Sequence, residues 1–563
     1  MKYLRWQILI VIIALVAIAV LLLSQKADLP VIPGDVQPVT GGIYSEALVG
    51  LPGRLNPVLD FYNPPDRDVN RLIYSSLVRF DSRGLPQLDL GESMGISRDG
   101  MVYNFTLRQD AVWHDGQPVT SDDVVFTVDL LRDEFIPLPD DVKTLWNAIE
   151  VEALDTYMVQ FRLPEPYSPF MDYLVFEILP EHLLGNLTAE QIVEADFNLN
   201  PVGSGPFQFE HFLVEEGEIV GLTLSAFPDY YGEQPYIDQV KFRYYSDSQS
   251  ALTAYRAEEV MGISQVTNDV LADCLLEADL NTYTGRLPQI TMIFLNLDNP
   301  EVPFFQEASI RRALLMGLNR QQMIDSVLDG QAIIADGPVF PESWAYYPEI
   351  KRVGFDPEAA IKLLKEEGFT IPAEGGSVRA KEGNYFTFSL IYPMGAEHRK
   401  LAEAIQQDWS RLGIEVVLQP VSYDEMISEY LDQRIYQAAL VDINLAFTPD
   451  PDPYPFWHQS QITGGQNYAR WDDRRASEYL EFARITVDLE KRERMYHNFQ
   501  VRFTQELPAL PLYYPVYTYA VDSRVQGVSM GPLFDSSDRL ASITNWFLRA
   551  ERTIIEDDEV EEE

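Results

Sequence analysis

The chain of 563 residues is too long for one hydrophobic core, and its 46% hydrophobic residues are enough to build two or three domains. Acidic residues outnumber basic residues 87 to 42, and the resulting formal charge of −45 argues against nucleic acid as a partner. The single cysteine, Cys274, excludes an internal disulfide, a cysteine-based zinc site and an iron–sulfur cluster.

An unbroken apolar run covers residues 8–23 and follows Lys2 and Arg5. Its length falls where signal peptides and membrane-spanning helices overlap. The only small-x-small pattern lies inside the run, which is a poor place for cleavage, so residues 1–24 are predicted to be an uncleaved signal anchor, with a cleaved signal peptide as the alternative. The two basic residues place the N-terminal end in the cytoplasm and the rest outside. The proline-containing residues 25–40 are predicted to be a flexible linker.

The exported part begins with a predicted strand over residues 43–49, followed by a turn that carries the triplet Leu55, Asn56 and Pro57. Residues 103–107 then alternate apolar and polar side chains, which is the period of a half-buried strand. Asp115-Gly116 supplies a tight turn, and Thr120 with Asp123 forms a capping box that opens a helix. The glycines of VGSGPF, residues 202–207, predict a turn whose backbone geometry side chains would block.

The second half alternates helices and strands. Residues 291–296 predict a strand, and an apolar face over residues 310–317 predicts a helix packed on the sheet. Asp356 is the predicted cap of a further helix that ends at Gly368, and the next helix ends at Gly413 before another strand. This alternation is typical of an α/β lobe.

Together these motifs resemble the bacterial extracellular solute-binding proteins of family 5, the oligopeptide, dipeptide and nickel binders of ABC importers. The resemblance rests on LNP at residues 55–57, LRQDAVWHDGQPVTSDDV at 107–124, VGSGPF at 202–207 and IRRALLMGLNRQQMIDSVLDGQA at 310–332. It covers roughly residues 41–548.

The resemblance implies an α/β fold, a two-lobed clamshell of the type II periplasmic binding proteins with an extra inserted subdomain. The expected divisions are lobe one at residues 41–85, 200–288 and 510–548, its inserted subdomain at 86–199, and lobe two at 289–509. Residues 549–563 are predicted to be an acidic disordered tail.

The family holds a peptide between the lobes, with its main chain paired to protein strands and its amino terminus bound by an aspartate. The matching segment covers residues 436–461, but the aspartate position falls at Ala446 counted forward and at Pro449 counted back. Asp442, Asp450 or Asp452 could substitute for it. The candidate ligand-binding residues are Leu55, Asn56, Asp442, Asn444, Asp450, Asp452, Tyr454, Trp457 and His458.

Each candidate also has a purely structural interpretation. Asp450 and Asp452 alternate with prolines and could simply shape an extended turn, while Trp457 and His458 could pack in a core. Leu55 and Asn56 could pack lobe one. Six scattered histidines without HxxxH or HxH spacing predict no metal site, and no cofactor is expected.

The resemblance implies a monomeric, non-enzymatic binding protein that captures an oligopeptide or other small solute and presents it to the permease subunits of an ABC importer. It would work in the periplasm or at the cell surface, held at the membrane by its N-terminal helix or secreted. A ligand-sensing surface receptor is one alternative. An exported hydrolase is another, against which stands the lack of GxSxG, HExxH and SxxK motifs.

Overall fold

The computed structural model describes residues 36–552 except for residue 82 and residues 446–449. Its elements build two α/β lobes around a twelve-stranded sheet. The predicted signal anchor at residues 1–24 lies outside the described residues. Within the described part, no helix is both long enough and apolar enough to cross a membrane.

Lobe one begins with two strands and a helix. The predicted strand over residues 43–49 is confirmed, and it buries Tyr44, Ala47 and Leu48. Prolines stand at the first two positions of the helix, where a missing N–H costs nothing. The bounds are β1 (Val36–Val39), β2 (Ile43–Val49), α1 (Pro64–Ile73), β3 (Val78–Phe80) and β4 (Pro86–Leu88).

The inserted subdomain is a four-stranded antiparallel sheet, in the order β5-β6-β8-β7, covered by helices. The predicted alternation is confirmed, because Tyr103, Phe105 and Leu107 are buried. The predicted capping box is also present, and the backbone N–H of Thr120 donates to Asp123 Oδ2 over 2.8 Å. The bounds are β5 (Gly91–Ile96), β6 (Val102–Leu107), α2 (Ser121–Arg132), α3 (Asp140–Ala148), β7 (Glu150–Asp155), β8 (Met158–Arg162), a 3-10 helix (Ser168–Val175), α4 (Glu181–Leu184) and α5 (Ala189–Val193).

The glycine turn that leads back into lobe one is pressed against the end of α1. A β-carbon on Gly203 or Gly205 would collide with backbone atoms of residues 72–73. The turn is also bound to the inserted subdomain, because the N–H of Gly203 donates to His114 Nδ1 over 3.2 Å and the N–H of His114 donates to the Gly203 carbonyl over 2.8 Å. The predicted need for glycine is thus a need for close backbone approach.

The rest of lobe one supplies one half of the large sheet. β11 runs parallel to β2, and β9 and β10 extend the sheet antiparallel beyond it. The bounds are β9 (Phe207–Glu215), β10 (Glu218–Ala226), β11 (Gln239–Tyr245), α6 (Ser248–Arg256), β12 (Gly262–Ile263), α7 (Asn268–Cys274) and β13 (Leu280–Arg286).

Lobe two supplies the other half. Asp356 caps its helix as predicted, accepting from the N–H of Ala359 over 2.9 Å, and Gly368 and Gly413 follow helix ends with positive φ. The bounds up to the middle of the lobe are β14 (Gln289–Leu295), α8 (Ala308–Met316), α9 (Arg320–Val327), β15 (Ala332–Ile334), α10 (Pro357–Glu366), β16 (Ala380–Lys381), β17 (Asn384–Tyr385) and β18 (Thr387–Pro393). The remaining bounds are α11 (Ala396–Arg411), β19 (Glu415–Val421), α12 (Tyr423–Glu425), β20 (Ala438–Asn444), α13 (Tyr454–Trp457), α14 (Arg474–Ile485) and α15 (Leu489–Glu506).

One long strand, β21 (Ala509–Asp522), belongs to both lobes. Its first residues pair with β14 and its last residues with β12 and β13. Its side chains divide in the same way, since Leu510 and Leu512 lie in the core of lobe two whereas Tyr517 and Tyr519 lie in that of lobe one. The sheet is therefore continuous from one lobe to the other.

The two ends of the described chain pair with each other. β1 lies antiparallel to β22 (Arg549–Arg552), with Val36 opposite Arg552. This corrects the expectation of a flexible linker up to residue 40 and of disorder from residue 549. Neither four-residue segment shows a strand pattern alone, and each becomes a strand because the other satisfies its backbone hydrogen bonds.

A buried ion cluster holds the C-terminal segment onto lobe one. The guanidinium of Arg539, which is fully buried, donates to Asp68 Oδ2 over 2.8 Å and to Glu46 Oε1 over 3.1 Å. These acids belong to α1 and β2. Two further pairs, Arg67 with Asp535 and Arg71 with Asp538, join the same segments over 2.8 and 2.7 Å.

Replacing Arg539 with methionine is expected to lower the free energy of unfolding by about 3–5 kcal/mol, because two buried carboxyl groups lose their counter-ion. Urea titration followed by tryptophan fluorescence measures the change. Arg524→Met is the matched control, since Arg524 is 64% exposed in its pair with Asp522, and a loss within about 1 kcal/mol is expected. Equal losses in the two variants would contradict the role given to the cluster.

Candidate functional site

A large cavity lies in lobe one, beside the inserted subdomain, and has a volume of about 790 Å³. Its walls come from the end of α1, the β3–β4 hairpin, the loop before β11 and the C-terminal segment held by Arg539. The inserted subdomain contributes Arg108 and Glu177. The lining side chains that carry charge or a phenol are Arg71, Tyr74, Arg79, Asp81, Asp89, Arg108, Glu177, Tyr230, Tyr231, Glu233 and Asp538.

The charges in this cavity are not fully compensated. Burial raises the pKa of Asp89, although Arg79 and other arginines lower it. Burial likewise raises the pKa of Glu177 despite the opposing effect of Arg71. Both carboxyl groups would be stabilised as anions by an added cation. The cavity therefore offers acidic groups to a cationic ligand group and guanidinium groups to an anionic one.

A smaller space at the junction between the lobes adjoins the cavity. This space of 30 Å³ shares Pro532 and Phe534 with the large cavity. Phe340 and Ser343 of lobe two line its other side, and Arg286, at the end of β13, forms an ion pair with Glu342 of lobe two. The two spaces are therefore neighbours, although the lining of the large cavity comes from lobe one and the inserted subdomain alone.

Asp442 is the most accessible of the predicted acids. It lies on β20 with its side chain 34% exposed, and it accepts hydrogen bonds from Thr291 over 2.5 Å and Tyr423 over 2.6 Å. Its second partner on Oδ2 is His398 Nε2, at 2.7 Å. Burial alone would raise the pKa of Asp442, but the hydrogen bonds from His398, Thr291 and Tyr423 hold the pKa below its ordinary value. Asp442 is therefore an anion at neutral pH.

The other two predicted acids already have cationic partners. Asp450 is buried and pairs with Arg492 over 2.6 Å, and Tyr496 also donates to it. Asp452 pairs with Arg484 over 2.6 Å. The guanidinium of Arg484 also lies 3.7 Å from the centre of the Tyr454 ring. These residues fix the segment after β20 to α14 and α15.

The remaining predicted residues pack within the lobes. The amide of Asn56 donates to Asn198 over 2.9 Å, and the Leu55 carbonyl accepts from Tyr74. Trp457 is buried against Phe294 and Phe503.

His458 and Asn444 complete the set. The ring of His458 stacks on Tyr454 and binds Glu481 at 2.9 Å. Asn444 is exposed at the end of β20. Of the nine predicted residues, Asn444 is exposed and Asp442, Asp452 and Tyr454 are half-buried, and among the three acids Asp442 has the most exposed side chain.

Sequence reasoning missed the charged residues that line the cavity and the partners of Asp442. Arg71, Arg108 and Glu177 come from separate segments, and no local pattern marks them. His398 lies in the first turn of α11, and Tyr423 follows the helix cap Ser422. Neither position indicates a contact with Asp442. In the described part of the chain, no group of three or more histidine, cysteine, aspartate or glutamate side chains could hold a metal ion.

Comparison with known proteins supports the resemblance to the family 5 solute-binding proteins. The family model for bacterial extracellular solute-binding proteins, family 5 Middle, matches residues 86–465. The oligopeptide-binding protein AppA of Bacillus subtilis is 26% identical over 526 residues, covering 91% of this chain and 92% of AppA. The dipeptide-binding protein of Escherichia coli is 25% identical over 529 residues, covering 88% and 94%.

Solved structures have the same fold. AppA in complex with a nonapeptide superposes with a TM-score of 0.66 and covers 91% of this chain and 100% of that one. HbpA2 from Haemophilus parasuis, 22% identical, superposes with a TM-score of 0.78 over 90% and 100%.

The pKa values of two histidines are expected to be shifted in opposite directions from the ordinary value. The hydrogen bond to Asp442 raises the pKa of His398 above its ordinary value despite partial burial, whereas burial lowers the pKa of His114 to about 4. Chemical shifts of the imidazole protons followed against pH measure both. Asp442→Asn is expected to lower the pKa of His398 and leave that of His114 unchanged. An unchanged His398 titration in Asp442→Asn would contradict the assigned contact.

Proposed function

Because the chain belongs to the bacterial extracellular solute-binding proteins of family 5, we propose that its solute is a peptide or a similar zwitterionic molecule, captured between the lobes and delivered to an ABC importer. AppA and the dipeptide-binding protein, whose names give peptides as their ligands, support this choice of solute. The solute acts as cargo, bound without chemical change.

The observation that carries the proposal is the charged cavity beside the lobe junction. Its 790 Å³ lies within the range of about 300–1,000 Å³ that small-molecule sites occupy. A zwitterion suits it because Glu177 and Asp89 favour an added cation, while Arg79 and Arg108 can bind a carboxylate. Tyr230 and Tyr231 provide flat, amphipathic surfaces for side chains.

On β20 of lobe two, Asp442 is proposed to bind the amino group of the solute. Asp450 and Asp452 are less suited, since Arg492 and Arg484 already neutralise them. Among the described residues, the donors to Asp442 are the neutral Thr291 and Tyr423 and the titratable His398. An ammonium group beside it would find an anion that needs no further deprotonation.

Two other functions remain alternatives. A surface receptor would bind the same solute but act on a signalling partner, and permease and ATPase genes beside this one would favour import. A hydrolase would convert the peptide. Incubation of the protein with peptides followed by mass spectrometry separates binding from hydrolysis, since a binder leaves the peptides intact.

The proposal predicts a stable complex with unmodified peptides. Native mass spectrometry of the protein mixed with a tryptic digest of serum albumin should show bound peptides. Tryptophan fluorescence should then give the Kd of each. Asp442→Asn is expected to weaken binding of peptides with a free amino terminus at least tenfold, because a charged hydrogen bond is lost.

The controls isolate the role of Asp442. Asp424→Asn changes an exposed acid near Tyr423 and is expected to leave Kd unchanged. N-acetylated peptides should bind wild type and Asp442→Asn equally. Cleavage of the peptides without a detectable complex would exclude a binding protein, and equal Kd values for Asp442→Asn and wild type would exclude the amine contact.

The N-terminal segment is proposed to anchor the protein outside the cytoplasmic membrane. The badly placed cleavage pattern in residues 8–23 motivates this proposal. The protein should stay in the membrane fraction after a high-salt wash, and the N-terminal residues should be intact. Release into the soluble fraction with a new N-terminus after residue 24 would contradict anchoring and favour a secreted form.

A further inference from the structure

The two lobes have a second contact besides β21. It lies where the inserted subdomain packs against lobe two. The 3-10 helix Ser168–Val175 packs against α14. Tyr167, just before this helix, faces Arg484 of lobe two, with the guanidinium carbon 5.6 Å from the ring centre. Arg484 is thus held between Tyr167 of one lobe and Tyr454 of the other.

A second arginine lies deeper in this contact. Arg492 pairs with Asp450 over 2.6 Å and lies over the Trp344 ring, 5.0 Å from its centre. Its side chain is 6% exposed and that of Asp450 is 2% exposed. Water is therefore excluded from this pair.

Asp172 of the inserted subdomain brings a further carboxyl group to this place. It is 3% exposed, and its Oδ1 has no hydrogen-bond partner. Asp450 and Arg492 are its charged neighbours, and burial, followed by Asp450, raises the pKa of Asp172 well above its ordinary value. Two buried carboxyl groups, one from each lobe, thus have the same guanidinium as a charged neighbour, and that guanidinium is paired with Asp450.

The surrounding groups do not supply the missing charge. Lobe two contributes two arginines, two carboxyl groups and two phenols, which are Arg484, Arg492, Asp450, Asp452, Tyr454 and Tyr496. The inserted subdomain adds, besides Asp172, the phenols Tyr103, Tyr167 and Tyr173. Burial raises the pKa of Tyr103, Tyr167, Tyr173 and Tyr496, so these four stay neutral at neutral pH. Three carboxyl groups therefore face two arginines.

We propose that closing the inserted subdomain onto lobe two takes up one proton at Asp172, so that the closed form holds its solute more tightly in acid than in alkali. The inference rests on the proposed function in one respect, because a solute-binding protein must open and close its lobes. In the open form Asp172 faces water and ionises normally. In the closed form it is protonated and donates to a neighbouring oxygen.

The direction of the pH dependence of closure follows from the two states of Asp172. Its pKa is higher when the lobes are closed, so closure is fully favoured below the ordinary carboxyl pKa and loses this advantage as pH rises toward the raised value. One linked proton changes the closed-to-open ratio by at most about tenfold per pH unit. Above the raised pKa the ratio is constant again.

Two dyes report closure without a solute. Cys274 is fully buried, so cysteines introduced as Glu134→Cys in the inserted subdomain and Glu490→Cys in lobe two are the accessible ones. Energy transfer between dyes on the full-length protein is measured from pH 4 to pH 9, with and without a tryptic digest of serum albumin. The closed fraction of the wild-type background should fall as pH rises.

Asp172→Asn is expected to flatten this profile and to keep the closed fraction at pH 8 at the acid level. Asp450→Asn should flatten it too, because Asp172 then pairs alone with Arg492, and it serves if Asp172→Asn fails to fold. Tyr167→Phe is the matched control that should keep the slope. A flat wild-type profile, or equal slopes in wild type and a folded Asp172→Asn, would overturn the proposal. Failure of the digest to bind at any pH, with the slope intact, would instead count against the proposed function.

Discussion

The strand β21 constrains how the two lobes can be placed. It pairs with β14 in lobe two and with β12 and β13 in lobe one, so the sheet hydrogen bonds run through the junction without a break. Any opening of the lobes must bend or twist this strand near Pro515, where the pairing passes from β15 to β13. Such a motion would separate the contact between the inserted subdomain and lobe two, whereas the lining of the cavity comes from lobe one and the inserted subdomain alone.

The cavity depends on a second constraint, the ion cluster around Arg539. One of its walls is a C-terminal segment that has only short 3-10 helices of its own. Four arginine–carboxylate pairs fasten that segment to α1 and β2, and one of the pairs, Arg71 with Asp538, also lines the cavity. Burial in this cluster raises the pKa of Asp68 to about 6 although Arg539 lowers it, so the same groups that hold the wall are costly to bury. The charged groups of the Arg539 cluster therefore lie next to the charged groups that line the cavity.

Much of the fold could be predicted because its signals are local. The strand at residues 103–107, the capping box at Thr120, the helix cap at Asp356 and the glycines at residues 203 and 205 each act within a few residues. The pairing of β1 with β22 could not be read in this way, since neither segment shows a strand pattern.

The site was less predictable for the same reason. Asp442 meets Thr291 from 151 residues away and His398 from 44 residues away. The sequence could not show that Asp450 and Asp452 pair with Arg492 and Arg484 and not with a ligand. Those arginines lie on helices whose positions the sequence does not give. Leu55 and Asn56 were predicted to bind a ligand because of the family motif. The contact of Asn56 with Asn198 shows that residues of such a motif can also serve packing.

The glycine turn at residues 203–205 ties the inserted subdomain to lobe one, because it is wedged against α1 and bound to His114. Under the proposed closure the subdomain would travel with lobe one, and opening would separate Tyr167 and Asp172 from Arg484 and Arg492.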